Sequence, residues 1–105
     1  MQRLRSIERL WLPSGFPGVE MCHLHGGEQG GGSVLMRFAA GASFPAHEHP
    51  GGEEMLVLEG CVRLGDAVLE QGDYQWTGPG EIHDVRSDAG ALVMIRSGAG
   101  IRVIE

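Results

Sequence analysis

Apolar residues fall in short runs along this chain, not in helical stripes. Residues 19–25 (VEMCHLH) alternate loosely and suit a strand. Residues 34–38 (VLMRF) predict a second, and the near-continuous apolar run at 55–58 (MLVL) reads as a buried strand. Short strands are predicted at 61–64 and 67–70, joined by Gly65-Asp66, a two-residue hairpin signal. Gly72-Asp73 turns the chain before YQWT at 74–77, and Gly78-Pro79-Gly80 makes a rigid turn. Residues 91–96 (ALVMIR) and 101–105 (IRVIE) close the chain as strands. Residues 1–12 fit a helical spacing (Leu4, Ile7, Trp11) or an extended arm, and Pro13, Gly15, Pro17 and Gly18 then impose a loop. GGEQGGG at 26–32 is read as a flexible turn. Seven to nine short strands at this spacing predict an all-β sandwich or barrel.

A chain of 105 residues holds one core, so a single domain is expected, with residues 1–18 as an N-terminal arm and 19–105 as the barrel. The 18 glycines argue against a helical bundle, since an interior glycine costs a helix about 1 kcal/mol against alanine. The net charge is −6, and all eight basic residues are arginine. Without a basic stripe the chain is a poor candidate for nucleic acid, whose affinity comes largely from phosphate neutralisation. No run is long enough to span a membrane, and Glu8 and Arg9 stand where a signal peptide would be apolar, so a cytoplasmic protein is expected. Cys22 and Cys61 form no CxxC and are read as reduced, partly buried small hydrophobes.

The chemistry lies in the histidines. His47 and His49 form an HxH pair, and on a strand residues two apart share a face. Pro50-Gly51-Gly52 turns the chain and lets Glu53 open the next strand toward the same interior. A carboxylate there is costly unless paired or bound to a cation. Two imidazoles and a carboxylate converging on one point suit a divalent first-row metal. His83, after the 78–80 turn, is a fourth candidate.

Five residues separate Gly41 from His47; His49, Glu53 and Gly60 follow at fixed intervals, and Gly72, Pro79, Gly80 and His83 form a second block. This spacing resembles the two cupin motifs, GX5HXHX3-4EX6G and GX5PXGX2HX3N. The first matches at every fixed position; in the second, Gly78 stands for Pro and Ser87 for Asn. The resemblance implies a cupin-type double-stranded β-helix, a jelly-roll barrel, with His47, His49, Glu53 and His83 as metal ligands. The string PAHEHPGGEEMLVLEG followed by GDY is similar to the ChrR-type cupins, where a cupin forms the metal-binding half of a zinc-dependent anti-sigma factor. Free-standing relatives resemble β-diketone dioxygenase-like proteins. The His–CxxC zinc site of the anti-sigma half has no counterpart in this sequence.

Three functions follow from such a site. With Fe, Mn or Ni, four protein ligands leave two octahedral positions for substrate and O2 or water, as in a dioxygenase that cleaves a dicarbonyl or an aromatic ring. With Zn, three His and one Glu close a tetrahedral site, as in a sensory or regulatory cupin. The third is a cupin that stores a ligand or stabilises a complex without chemistry, and a barrel that keeps the histidines as a hydrogen-bonded core without metal is the structural alternative. A small-molecule ligand and a homodimer are expected; no catalytic acid or base stands out. Glu54 should face away from Glu53, and Leu56 and Leu58 away from the metal, toward a cover such as a second subunit. His23 and His25 are expected to line the barrel or an exposed strand, and Met36, Met55 and Met94 to pack the core. Phe38, Phe44, Tyr74 and Trp76 are candidates for a pocket wall or for core or interface packing.

Overall fold

The computed structural model describes residues 1–26 and 30–104. Among these, ten strands follow a single turn of 3-10 helix at Ser6–Glu8: β1 (Leu12–Pro13), β2 (Val19–Gly26), β3 (Gly32–Phe38), β4 (Ala42–Glu48), β5 (Glu53–Leu64), β6 (Ala67–Glu70), β7 (Tyr74–Thr77), β8 (Ile82–Ser87), β9 (Ala91–Ser97) and β10 (Arg102–Val103). All pairings are antiparallel. One sheet runs β1-β2-β3-β9-β5-β7; the other runs β10-β4-β8-β5-β6. The architecture is the all-β jelly-roll barrel expected from the sequence.

The two sheets meet at β5. Its first half pairs with β9 and β7, its second with β6 and β8. A bulge opposite β9 falls between Val57 and Glu59 and reverses the phase of the strand. Before it the buried residues are Glu53, Met55 and Val57; after it they are Val62 and Leu64. Two strands were expected here, at 55–58 and 61–64, because the alternation breaks in between. The chain instead continues through Gly60, whose φ of +75° suits the bend, and whose hydrogen in place of a Cβ lets the Gly90 carbonyl approach.

The same device shapes β4. Ala42 and Phe44 face inward, a bulge falls between Phe44 and His47, and the inward phase then passes to His47 and His49. Pro45 sits inside this bulge, one of the few places in a sheet that tolerates a residue without an N–H. β4 and β8 emerge from stretches where no strand was marked apart from the HxH pair itself. At the C-terminus only Arg102–Val103 pairs, with β4, and Glu105 lies outside the described residues.

The core lies between the sheets and contains Met36, Met55, Val57, Val93 and Ile95 from one and Phe44, Val62, Leu64 and Val85 from the other. Met36 and Met55 pack there as expected, whereas Met94 is half-buried on the opposite side of β9. Leu35 and Cys22 face each other across β3 and β2, away from this core, and are still buried. The first twelve residues lie over that outer face. Ser6, Arg9 and Trp11 border a groove with Arg37 and Leu92, and Leu4 borders another with Leu24 and His25. This segment is pinned by β1 on β2, and by Trp11, whose ring stacks under the Arg37 guanidinium at 4.0 Å.

Both cysteines are free, Cys22 buried and Cys61 half-buried. Ser87, which stands where the second motif has Asn, is fully buried. Its hydroxyl donates to the Cys61 carbonyl at 2.7 Å and accepts from the Gly90 N–H at 3.0 Å. It ties the end of β8 to β5 and to the turn before β9. The turn expected over 26–32 lies in part outside the described residues. No helix among the described residues is long and apolar enough to cross a membrane.

Candidate metal centre

The bulge in β4 does more than aim His47. It frees the Pro45 carbonyl from the ladder, and this oxygen accepts a hydrogen bond from His47 Nδ1 at 2.8 Å. Directly across the β4–β8 ladder from His47 is His83. His49 lies just beyond β4 and is locked to the 78–81 turn. Its own N–H donates to the Glu81 carbonyl at 3.1 Å, and its carbonyl accepts from the Gly80 N–H at 2.8 Å. Its Nδ1 donates to the same Glu81 carbonyl at 2.8 Å. The turn is closed in its turn by the Glu81 carboxylate, which accepts from the Gly78 N–H at 2.8 Å.

Between His49 and Glu53 the backbone passes through Gly52 at φ +78°. A Cβ at Gly52 would run into the Trp76 ring, so Trp76, although largely exposed, seats this corner. Glu53 then opens β5 facing inward, 2% exposed.

The four predicted residues are thereby brought together: one ligand atom from each of His47, His49, Glu53 and His83 lies within 4.8 Å of the others. The imidazole centroids are 4.3–4.7 Å apart. Phe44 meets the His47 ring edge-on at 5.0 Å.

The proton inventory shows what the cluster lacks. A carbonyl can only accept, so His47 and His49 each carry their proton on Nδ1 and, when neutral, present a bare lone pair on Nε2. His49 Nε2 lies 2.9 Å from Glu53 Oε2, and His83 Nε2 lies 3.5 Å from the same oxygen. His49 Nε2, Glu53 Oε2 and His83 Nε2 are buried and have no hydrogen-bond partner. The His49 lone pair and the ionised Glu53 oxygen, held this close out of water, repel one another unless a proton or a metal cation sits between them. Burial shows in the titration as well. The Glu53 carboxyl is pushed up to about 7 by desolvation. His83 is pushed down to about 3, first by burial and then by His49 and His47, and His47 is also lowered, chiefly by burial. Neutral imidazoles and one carboxylate are the forms a divalent transition metal takes as ligands, so the cluster fits such an ion.

The matching sequence profile is that of the ChrR cupin-like domain, over residues 2–100. The chain is a cupin of the ChrR cupin-like family. Among solved structures, a chain of the Rhodobacter sphaeroides complex of SigE with the anti-sigma ChrR superposes with a TM-score of 0.76 at 25% identity, over 89% of this cupin and 50% of that chain. An acetylacetone dioxygenase from Acinetobacter johnsonii superposes with a TM-score of 0.84 at 16% identity, over 100% of this chain and 77% of that one, a likeness of fold. The DNA damage-repair/toleration protein DRT102 of Arabidopsis thaliana is 35% identical over 60 residues, which cover 51% of this cupin and 19% of that protein. The cupin thus spans about a fifth of the length of that relative.

A cavity of about 360 Å³ opens on the cluster, with His47 and Glu53 in its wall. His23 and His25 stand exposed at its border, and His25 is hydrogen-bonded to Gln2 at 3.0 Å. They do not join the metal cluster. Tyr74 and Trp76 lie outside the cavity wall; the Tyr74 hydroxyl donates to Glu54, which faces outward as expected. The Pro45 and Glu81 carbonyls are the partners that sequence reasoning missed. A backbone oxygen leaves no residue-type signal; only Pro45 at a bulge and the rigid GPGE turn hinted that the chain was pinned there.

Proposed function

We propose that this cupin binds a divalent transition metal through His47, His49, Glu53 and His83 and uses it to hold a small molecule in the adjoining cavity. The observation that carries this is the convergence of four potential ligand atoms on one point, three of them buried without a hydrogen-bond partner. When bound, the metal supplies a Lewis acid or, if iron or manganese, an electron donor. The chain's own part is to hold three imidazoles neutral, to fix two of them through the Pro45 and Glu81 carbonyls, and to keep the Glu53 carboxylate inside the barrel. A metal preferring six ligands would be left two positions by these four residues, room for the substrate and O2 or water that a dioxygenase-type enzyme would need.

Membership of the ChrR cupin-like family favours a second function, a zinc-bound sensory or regulatory cupin. Metal analysis of protein purified without chelator separates the two. Iron, manganese or nickel in a six-coordinate site is the expected result. A closed four-coordinate zinc site would select the sensor, and protein free of metal whose His47→Ala and His83→Ala variants take up metal like the parent would overturn the site.

The same proposal treats residues 1–18 as an arm on a barrel of 19–105, and the unpaired cysteines support a reducing, cytoplasmic setting. A homodimer is supported by the outward Leu56, Tyr74 and Trp76 on adjacent β5 and β7, which are 37%, 54% and 56% exposed.

A further inference from the structure

The cavity wall is apolar in a way that selects its ligand. Six apolar side chains, among them Met21, Val34, Met36 and Ile95, line it, with the hydroxyls of Ser33 and Ser97 and, at its exposed border, His23 and His25. No arginine contributes to the wall, and the chain contains no lysine. The arginines of the barrel are engaged elsewhere: Arg37 with Glu20, Arg63 and Arg86 with Asp88, and Arg102 with Glu48. Arg96 alternates with the inward Ile95 and Ser97 and so stands on the outer side of β9; it is not part of the wall, and its guanidinium is held by the hydroxyl of Ser33 at the cavity's border. Residues 27–29 add no basic side chain by sequence.

A metal held by three neutral imidazoles and one carboxylate retains a single positive charge. Among the described residues no arginine side chain lines the cavity beside it, and the two other histidines of the lining, His23 and His25, stand exposed at its border. A ligand with one coordinating end satisfies the metal's charge. A second carboxylate, phosphate or sulfonate further out would be desolvated against methionine, valine and isoleucine with no countercharge. The volume, roughly twice the ~150 Å³ of an apolar cavity that holds benzene, limits the rest of the molecule to a short chain or one ring.

We propose that the ligand of this cupin is a small molecule with one metal-coordinating end and an uncharged, apolar remainder, and that dianionic chelators of the same size are rejected. The coordinating end rests on the metal site proposed above; the apolar remainder rests on the cavity wall alone.

Two matched pairs of probes test the halves separately. Cobalt(II)-loaded protein is titrated at pH 8 with 2-oxopentanoate and with 2-oxoglutarate, which share a coordinating head and differ in a terminal methyl against a carboxylate; visible absorption follows binding. At least tenfold tighter binding of 2-oxopentanoate is expected, and Met21→Lys, which places an ammonium in the wall, should narrow that gap. Metal-free protein, stripped with chelator so that the wall is probed without the metal's charge and labelled with 13C at the methionine methyls, is titrated with 2-pentanone and with 4-oxopentanoate. Met21 and Met36 should shift with the ketone only, while Met1 and Met94, which lie outside the cavity wall, stay unmoved. Failure to take up cobalt would overturn the metal site and leave the second pair to decide the cavity. Equal or tighter binding of the additional-carboxylate probe in either pair would overturn the proposal, as would methionine shifts with neither ketone nor acid.

Discussion

Glu53→Gln separates what the fold tolerates from what the metal requires. In the metal-free protein the buried carboxyl is raised from 4.5 to about 7, because burial disfavours its charge. In the unfolded chain the same group ionises near its ordinary value. Below about pH 4.5 it is protonated in both states and costs nothing. As pH rises through 4.5 to 7 the unfolded state loses its proton first, so the folded state is progressively destabilised. Above pH 7 the penalty is constant. At about 1.4 kcal/mol per pH unit of displacement it amounts to about 3 kcal/mol. A glutamine carries no such charge, and its amide can donate toward His49 Nε2, which the carboxylate meets as a second acceptor at 2.9 Å.

Urea unfolding of parent and variant, stripped with chelator, therefore has a definite expected outcome. At pH 8 Glu53→Gln is more stable by up to about 3 kcal/mol; near pH 4.5 the two differ little. His83, held near 3, is destabilising in the opposite direction as pH falls below its ordinary range; because it lies 3.5 Å from Glu53 Oε2, the comparison is decided at pH 8, where His83 is neutral in both proteins. Adding metal at pH 8 reverses the order, since the parent offers an anionic ligand and the variant does not. If the chelator-stripped variant were less stable than the parent at pH 8, the carboxylate would have a partner that the geometry does not show, and the argument for a cation among these atoms would fail.

Three further outcomes follow from single contacts. Glu81→Ala removes the carboxylate that accepts from the Gly78 N–H, which costs about 1 kcal/mol or less, yet it loosens the carbonyl that orients His49. Metal affinity, read by competition with a chelating dye, should fall about tenfold or more, and unchanged affinity would show that the turn is held without Glu81. Gly60→Ala forces a Cβ onto a backbone with φ +75° and against the Gly90 carbonyl, and should cost about 2–4 kcal/mol by urea unfolding. Leu56→Arg places a charge in the outward patch with Tyr74 and Trp76; sedimentation should show a dimeric parent and a monomeric variant, and a monomeric parent would refute the proposed contact.

How far the sequence could be read depends on whether a feature is local. The spacing from Gly41 to Gly60 is local, and it located His47, His49 and Glu53, whose convergence depends on a turn of three residues. The partnership of His83 with His47 is a register across two strands far apart in sequence, and only the second glycine block pointed to it. Bulges are where period-2 reading breaks down, because one extra residue passes the inward face from even to odd positions or back. In β5 that slip made one strand of twelve residues resemble two. In β4 it hid the strand altogether, since Phe44 and His47 are both inward at an odd separation. Yet the β4 bulge is what the site needs: it turns His47 toward Glu53 and releases the Pro45 carbonyl that fixes the His47 tautomer. The irregularity that defeats the pattern and the irregularity that builds the His47, His49, Glu53 and His83 cluster are the same two residues, Pro45 and Ala46.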